Sequence, residues 1–151
     1  MRIAAANRLT RDFGDGHWSA HTNEASILRD MRASHVIAAR ASGVIVGTLT
    51  LQTKRPWAID VRYFTPCRKA VYLTNMAVLP ERQRSGVGRA LLDEALAQAR
   101  SVPFAAIRLD AYDAPAGAGE FYRRYGYSQV GGKSYRGVPL RYFELMTGAT
   151  E

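Results

Sequence analysis

The period of apolar and polar positions changes several times along the chain, and each change marks an element. His35 to Arg40 and Val44 to Leu51 read as two strands around a Ser42-Gly43 turn, the second rich in β-branched residues. Val71 to Val78 reads as a third strand, stopped at Leu79-Pro80 because proline brings no N–H to a ladder. From Gly86 to Arg100 the residues Val87, Leu91, Leu92, Ala95, Leu96 and Ala99 recur at helical spacing and give a broad apolar face. Phe104 to Ala111 follows as an apolar strand of the kind buried on both faces. Asp113-Ala114-Pro115 reads as a helix start. Ala118, Phe121, Tyr122 and Tyr125 then recur at helical intervals, with Gly126 as the stop. Two closing strands, at about 127–133 and 139–146, flank a turn at Arg136-Gly137. Upstream, residues 2–7 read as a short strand, and Asn23 as the cap of a helix presenting Ile27, Leu28 and Met31 on one side. Between Gln52 and Ala70 no period is visible, and irregular stretches of this length in compact domains are usually functional or mobile. The order predicts a mixed α/β layer with one central sheet, in a single domain over 1–151.

Composition narrows the class. A chain of 151 residues that is 47% hydrophobic and 23% charged is a folded globular protein and not a disordered one. No apolar run approaches the roughly 20 residues of a membrane span, and the N-terminus lacks a signal-peptide pattern, so a cytoplasmic protein with no membrane partner is expected. Cys67 is the single cysteine and can form no internal disulfide. His17, His21 and His35 show no metal-ligand spacing, so no metal is expected. The net charge of +8 favours anionic partners.

The chemistry sits in Pro80-Glu81-Arg82-Gln83-Arg84-Ser85-Gly86-Val87-Gly88-Arg89-Ala90, which joins a strand to an amphipathic helix. The first turn of a helix has unpaired N–H groups and a partial positive charge. Gly86 and Gly88 let an anion approach the backbone, and Arg82, Arg84 and Arg89 surround it with positive charge. These are the elements of a phosphate or pyrophosphate site. A bare G-x-G is also an ordinary strand–helix turn. The lysine and hydroxyl pair of a nucleoside triphosphate loop is missing, and Leu91 stands where the third glycine of a dinucleotide fingerprint would be.

Gln83-x-x-Gly86-x-Gly88 after a strand ending Met76-Ala77-Val78 resembles the acyl-CoA signature of the GNAT superfamily of N-acyltransferases. Ala118-x-x-Phe121-Tyr122-Arg123-Arg124-Tyr125-Gly126-Tyr127 resembles the same family's second block, and the likeness extends over about 36–146. It implies a GNAT-like mixed sheet of about six or seven strands, splayed at the strand that binds pantetheine. It implies acetyl-CoA as cosubstrate and acetyl transfer to a primary amine by direct attack in a ternary complex. Backbone amides of Arg84, Ser85, Gly86, Val87, Gly88 and Arg89 would hold the CoA pyrophosphate, with Gln83 opening the signature. Met76, Ala77 and Val78 would pair with the pantetheine arm, and the amide of Ala77 or Val78 would polarise the thioester carbonyl. Ala118, Phe121 and Arg124 belong to the cofactor-binding set, Arg124 standing where the family often has a lysine near the phosphates. Tyr122 matches the tyrosine that protonates the departing thiolate, a role a phenol suits because it keeps its proton at neutral pH. By position alone Tyr122 reads rather as a core aromatic, and the flanking pattern is what favours the acid role; Arg124 reads almost as readily as a solvated surface charge.

The family's strand carboxylate is missing from Val71 to Val78, and the asparagine often found near the last helix is replaced by Asp113-Ala114-Pro115. A general base would come from Asp110, Asp60, Glu81 or water. Trp57, Tyr63 and Phe64 in the long loop, with Tyr135 and Tyr142 on the closing hairpin, stand where the resemblance implies an acceptor cleft, and ordinary packing explains them as well. The expected acceptor is a small-molecule amine or a protein or peptide amine. Oligomeric state is left open, a homodimer by exchange of the closing hairpin being one arrangement the family allows. Two rivals stand beside this reading: an acyl-CoA sensor with weak turnover, and a basic nucleic-acid module. The second wants a continuous basic stripe with interleaved aromatics, which Arg123-Arg124 and Lys133-Arg136-Arg141 do not form, so no nucleic acid is expected.

Overall fold

A computed structural model describes residues 7–8, 11–12 and 24–148. Three α-helices are described in full, α1 (Glu24–Ala33), α2 (Val87–Ser101) and α3 (Gly119–Tyr125). Six strands accompany them: β1 (His35–Ala41), β2 (Val44–Gln52), β3 (Ala70–Val78), β4 (Ala106–Tyr112), β5 (Ser128–Tyr135) and β6 (Val138–Met146). Residues 2–6 of the expected first strand, and the expected cap Asn23, lie outside the described residues; Asn7-Arg8 is helical. Leu28, expected in the apolar stripe of α1, is 48% exposed.

The six strands form one mixed sheet in the order β1-β2-β3-β4-β6-β5. β1–β2, β4–β6 and β5–β6 are antiparallel, and β3–β4 is parallel. Both hairpins turn on two residues with positive φ, Ser42-Gly43 and Arg136-Gly137, the geometry that matches the right-handed twist of strands. The chain divides into two compact units, Met1–Gln52 with Leu73–Ala95, and Thr53–Tyr72 with Leu96–Glu151.

Among the described residues of the first unit the buried hydrophobic side chains are Ile37, Val46, Leu49, Leu51, Leu73, Ala77, Leu91, Leu92 and Ala95. Gly47 on β2 is what lets α2 settle there. A Cβ at this position would lie 2.7 Å from Val87 Cγ1 and 2.9 Å from Leu91 Cδ1, closer than carbons can approach. The N–H of Leu79 donates to the carbonyl of Val46 at 2.9 Å, so the chain leaving β3 is tied to the same strand.

In the second unit Ile59, Phe64, Tyr72, Leu140 and Tyr142 form one apolar cluster. Phe64 and Tyr142 are therefore packing residues. A buried ion pair fastens the long loop to the sheet. Arg108 and Glu144, register partners on β4 and β6, meet at 2.9 Å with both side chains under a tenth exposed. Glu144 accepts the N–H of Thr65 at 3.1 Å and Arg108 donates to the carbonyl of Thr65 at 2.6 Å, so the pair holds both backbone groups of one loop residue. Burial works against the Arg108 charge, but hydrogen bonds to Glu144 and Tyr72 outweigh it and raise the guanidinium above its ordinary range.

The last helix begins at Gly119, not at Asp113. Asp113 is held before a helix can start: its N–H donates to the carbonyl of Pro139 at 3.0 Å, and its carboxylate pairs with Arg141. A separate turn, Gly117 N–H to Ala114 C=O at 2.8 Å, occupies the segment instead.

Candidate active site

The segment singled out by its glycines and arginines lies in the first unit. β3 is extended except at Asn75, where φ is +54°, a left-handed residue inside a strand. Asparagine tolerates this conformation better than other side chains with a Cβ, and such a residue bends the strand and re-aims the residues after it. The β3–β4 ladder covers Ala70 to Tyr72 only, so Met76, Ala77 and Val78 run on beyond its end. Ala77 is buried, and Met76 and Val78 are partly exposed.

Beyond Leu79, Pro80–Arg82 makes a 3-10 turn. The Gln83 side-chain amide donates to the carbonyl of Val78 at 3.4 Å, and the Ser85 hydroxyl donates to the carbonyl of Arg82. Arg84 has φ +60° and Gly86 φ +88°, so the chain turns twice through left-handed backbone within three residues. Residues 81–86 are exposed, and nothing lies within 4 Å of where a Cβ on Gly86 would stand. α2 starts at Val87 without an acidic residue in its first turn. Its first ladder bond joins the N–H of Ala90 to the carbonyl of Gly86 at 3.0 Å. The amides of Gly86, Val87 and Gly88 thus stand at the positive end of a 15-residue helix, with open space at Gly86 and with Arg82, Arg84 and Arg89 exposed. A phosphorylated carrier fits this cradle on charge, donors and room.

The second group of residues lies in the second unit. Tyr122 is 6% exposed, in edge or tilted contact with Phe121, Tyr127 and Phe143. Burial, and then the charge of Asp110, push its phenol far above the ordinary tyrosine range. Asp110, partly buried on β4, has its own carboxyl pushed up by burial. Phe121 is partly exposed and Ala118, the residue before α3, is exposed. Arg124 projects into solvent and pairs with Glu120 at 3.3 Å.

The three expected base candidates differ sharply. Asp60 hydrogen-bonds the Arg62 side chain and backbone and Lys133, which hold its carboxyl far below the ordinary range, so it accepts a proton poorly. Glu81 is exposed in the first unit. Asp110 alone combines partial burial with a raised carboxyl. Sequence reasoning missed Asn75 as a backbone feature, although an asparagine inside Val71 to Val78 breaks an otherwise strand-favouring run. It also missed Arg108–Glu144, because nothing in a single sequence pairs two positions 36 residues apart.

The two central strands of the mixed sheet, β3 and β4, run parallel and pair over only three residues, and a glycine turn leads from β3 into α2. The acetyltransferase (GNAT) family model matches residues 3–127, and the chain belongs to that family. No curated protein matches the sequence. Solved structures give likeness of fold. An aminoglycoside 6'-N-acetyltransferase complexed with coenzyme A is 14% identical, with 99% of this chain and 92% of that one covered and a TM-score of 0.66. The ribosomal-protein-alanine N-acetyltransferase of Brucella melitensis is 18% identical, with 95% and 91% covered and a TM-score of 0.66. A GNAT family acetyltransferase from Elizabethkingia anophelis with acetyl-CoA bound is 15% identical, with 89% and 93% covered and a TM-score of 0.61. No described helix is long and apolar enough to cross a membrane.

Proposed function

We propose that this protein is an acetyl-CoA-dependent N-acetyltransferase, working as a single domain over 1–151 and acting on a primary amine by direct attack in a ternary complex. The observation that carries the reading is the exposed turn at Arg84 and Gly86, left-handed at both residues and open in front of the first turn of α2. Acetyl-CoA supplies the acyl group as an activated thioester. The amides of Arg84 to Arg89, with Gln83 shaping the turn, bind the pyrophosphate. Arg82, Arg84 and Arg89 add charge. Met76, Ala77 and Val78 hold the pantetheine by backbone pairing, and the amide of Ala77 or Val78 stabilises negative charge at the carbonyl oxygen. Ala118, Phe121 and Arg124, in the second unit, keep the cofactor-binding role that the family resemblance implies for them.

In the transfer, the amine nitrogen forms a bond to the acyl carbon as the carbon–sulfur bond breaks. Tyr122 donates its proton to the sulfur, and the ammonium proton passes to water or to Asp110. Burial keeps the Tyr122 phenol protonated at neutral pH; the same upward shift makes it a weaker acid, so the transfer is driven by the negative charge that grows on the departing sulfur. The enzyme's main contribution is then orientation. The solved acetyltransferases that hold coenzyme A or acetyl-CoA support the cosubstrate.

Calorimetric titration with coenzyme A, paired with thiol release from acetyl-CoA on a panel of amines, tests the proposal. Gly86→Glu places a side chain and a negative charge in the open space, and the expected result is loss of coenzyme A binding. Unchanged affinity removes the pyrophosphate assignment. Tight binding with no turnover on any amine reassigns the protein as an acyl-CoA sensor, which the missing β3 carboxylate would explain.

A further inference from the structure

Within the second unit the long loop meets the β5–β6 hairpin around an open hollow of about 390 Å³. Arg55, Trp57, Asp60, Arg62, Lys133 and Tyr135 line it. Three cations therefore face one carboxylate, and that carboxylate is already taken. Arg62 holds Asp60 through two side-chain nitrogens, Nη2 at 2.6 Å and Nε at 3.0 Å, and Lys133 adds a further contact at 3.3 Å. A further cation has nothing to bind there. The cations keep capacity: the Arg62 side chain is 80% exposed and that of Lys133 50%. Arg55 spends one N–H on the carbonyl of Ile59 at 3.2 Å, leaving the rest of its guanidinium fork. Trp57, at 83%, is the most exposed large apolar side chain among the described residues, and it stands beside these cations. An indole left in water next to a surplus of positive charge is a surface shaped for an anion attached to something flat or greasy.

Asp110 and Tyr122, assigned to chemistry, belong to the same unit as the hollow. The Tyr142 hydroxyl donates to the carbonyl of Ala58 at 2.6 Å and accepts the N–H of Asp60 at 3.3 Å, so the wall of the hollow hangs on it. Tyr142 is the register partner of Asp110, whose charge reaches Tyr122.

We propose that this hollow receives the acceptor, and that the acceptor is an amine carrying a carboxylate beside an aromatic or apolar group. The carboxylate meets Arg55, Arg62 and Lys133, and the apolar part lies against Trp57. The inference rests on the acetyl-transfer reading and adds the substrate class to it.

The test uses two dipeptide amides, phenylalanyl-glutamate and phenylalanyl-glutamine. They share one primary amine and nearly one shape, so charge alone separates them. The expected kcat/KM is about tenfold higher for the glutamate peptide, carried by KM. Arg55→Gln with Lys133→Gln removes most of that preference. Arg29→Gln with Arg32→Gln, which lowers the net charge equally on exposed positions of α1, leaves it intact. Equal kcat/KM for the two peptides, or a preference lost as much in the α1 variant as in the hollow variant, overturns the proposal. Calorimetric titration of both peptides into protein holding coenzyme A separates the two readings. Tighter binding of the glutamate peptide, abolished in the hollow variant but without transfer to either, keeps the anion site and removes acetyl transfer. No transfer and no difference in binding removes the anion site itself.

Discussion

Tyr122 and Tyr127 have nearly the same surroundings and opposite prospects. Their rings meet at 5.6 Å, both are buried, and burial raises both phenols. On the proposed mechanism the Tyr122 hydroxyl gives a proton to the leaving sulfur. Tyr122→Phe is therefore expected to lower kcat about 100-fold while leaving the coenzyme A Kd unchanged, measured by thiol release and calorimetry. The Tyr127 hydroxyl is buried with no hydrogen-bond partner among the described residues. Such a group costs about 1–3 kcal/mol relative to an apolar one of the same shape. Tyr127→Phe is expected to raise Tm at pH 7 by about 2–4 °C or more. The pH dependence has a definite sign. A phenol whose folded pKa lies above its unfolded value contributes stability that is complete below the unfolded value, about 10, and is lost as pH rises from there through the folded value. The parent protein should lose stability steeply above about pH 10, and Tyr127→Phe should flatten that fall in urea melts across the same range.

At the scale of elements, most of the fold was legible because its periods are clean. The α2 stripe, the two hairpin turns and the stop at Leu79-Pro80 all come from local chemistry, and the strand–glycine turn–helix segment appears where Gly86 and Gly88 put it. The illegible parts depended on partners far along the chain. Asp113-Ala114-Pro115 has the residues of a helix start, but Arg141 and the carbonyl of Pro139 claim Asp113 first. Asp60 has the residue type of a base, but hydrogen bonds from Arg62, two residues on, and to a lesser degree from Lys133, distant in sequence, hold its carboxyl down. Gly47 shows the same dependence, since a glycine inside the β-branched Val44 to Leu51 has no local reason to be there. The reason is Val87 at the start of α2. Gly47→Val is expected to push that start outward and destabilise the protein by about 1–3 kcal/mol, read from urea unfolding. It should also weaken coenzyme A binding, measured by calorimetry, because the displaced turn carries the proposed pyrophosphate donors.

For the whole molecule, the division into two units raises the question of whether they unfold together. The chain passes between them at Gln52–Thr53, at Tyr72–Leu73 and at Ala95–Leu96. Two of those passages fall inside regular elements, the first within β3 and the second within α2. Unfolding one unit alone would leave Val87–Ala95 or Leu96–Ser101 as a helical stub, each shorter than the roughly 12–15 residues at which an isolated helix is even marginal in water. It would also cut β3 just after Tyr72, the residue that ends its ladder with β4 and lies in the Tyr142 cluster. The single-domain reading therefore expects the two units to unfold together. A single transition is expected by scanning calorimetry, with an enthalpy of about 100 kcal/mol near 60 °C for 151 residues and a van't Hoff value equal to it. A van't Hoff enthalpy near half the calorimetric one would mean that the units melt separately, and would replace the single-domain reading with two domains joined through a strand and a helix.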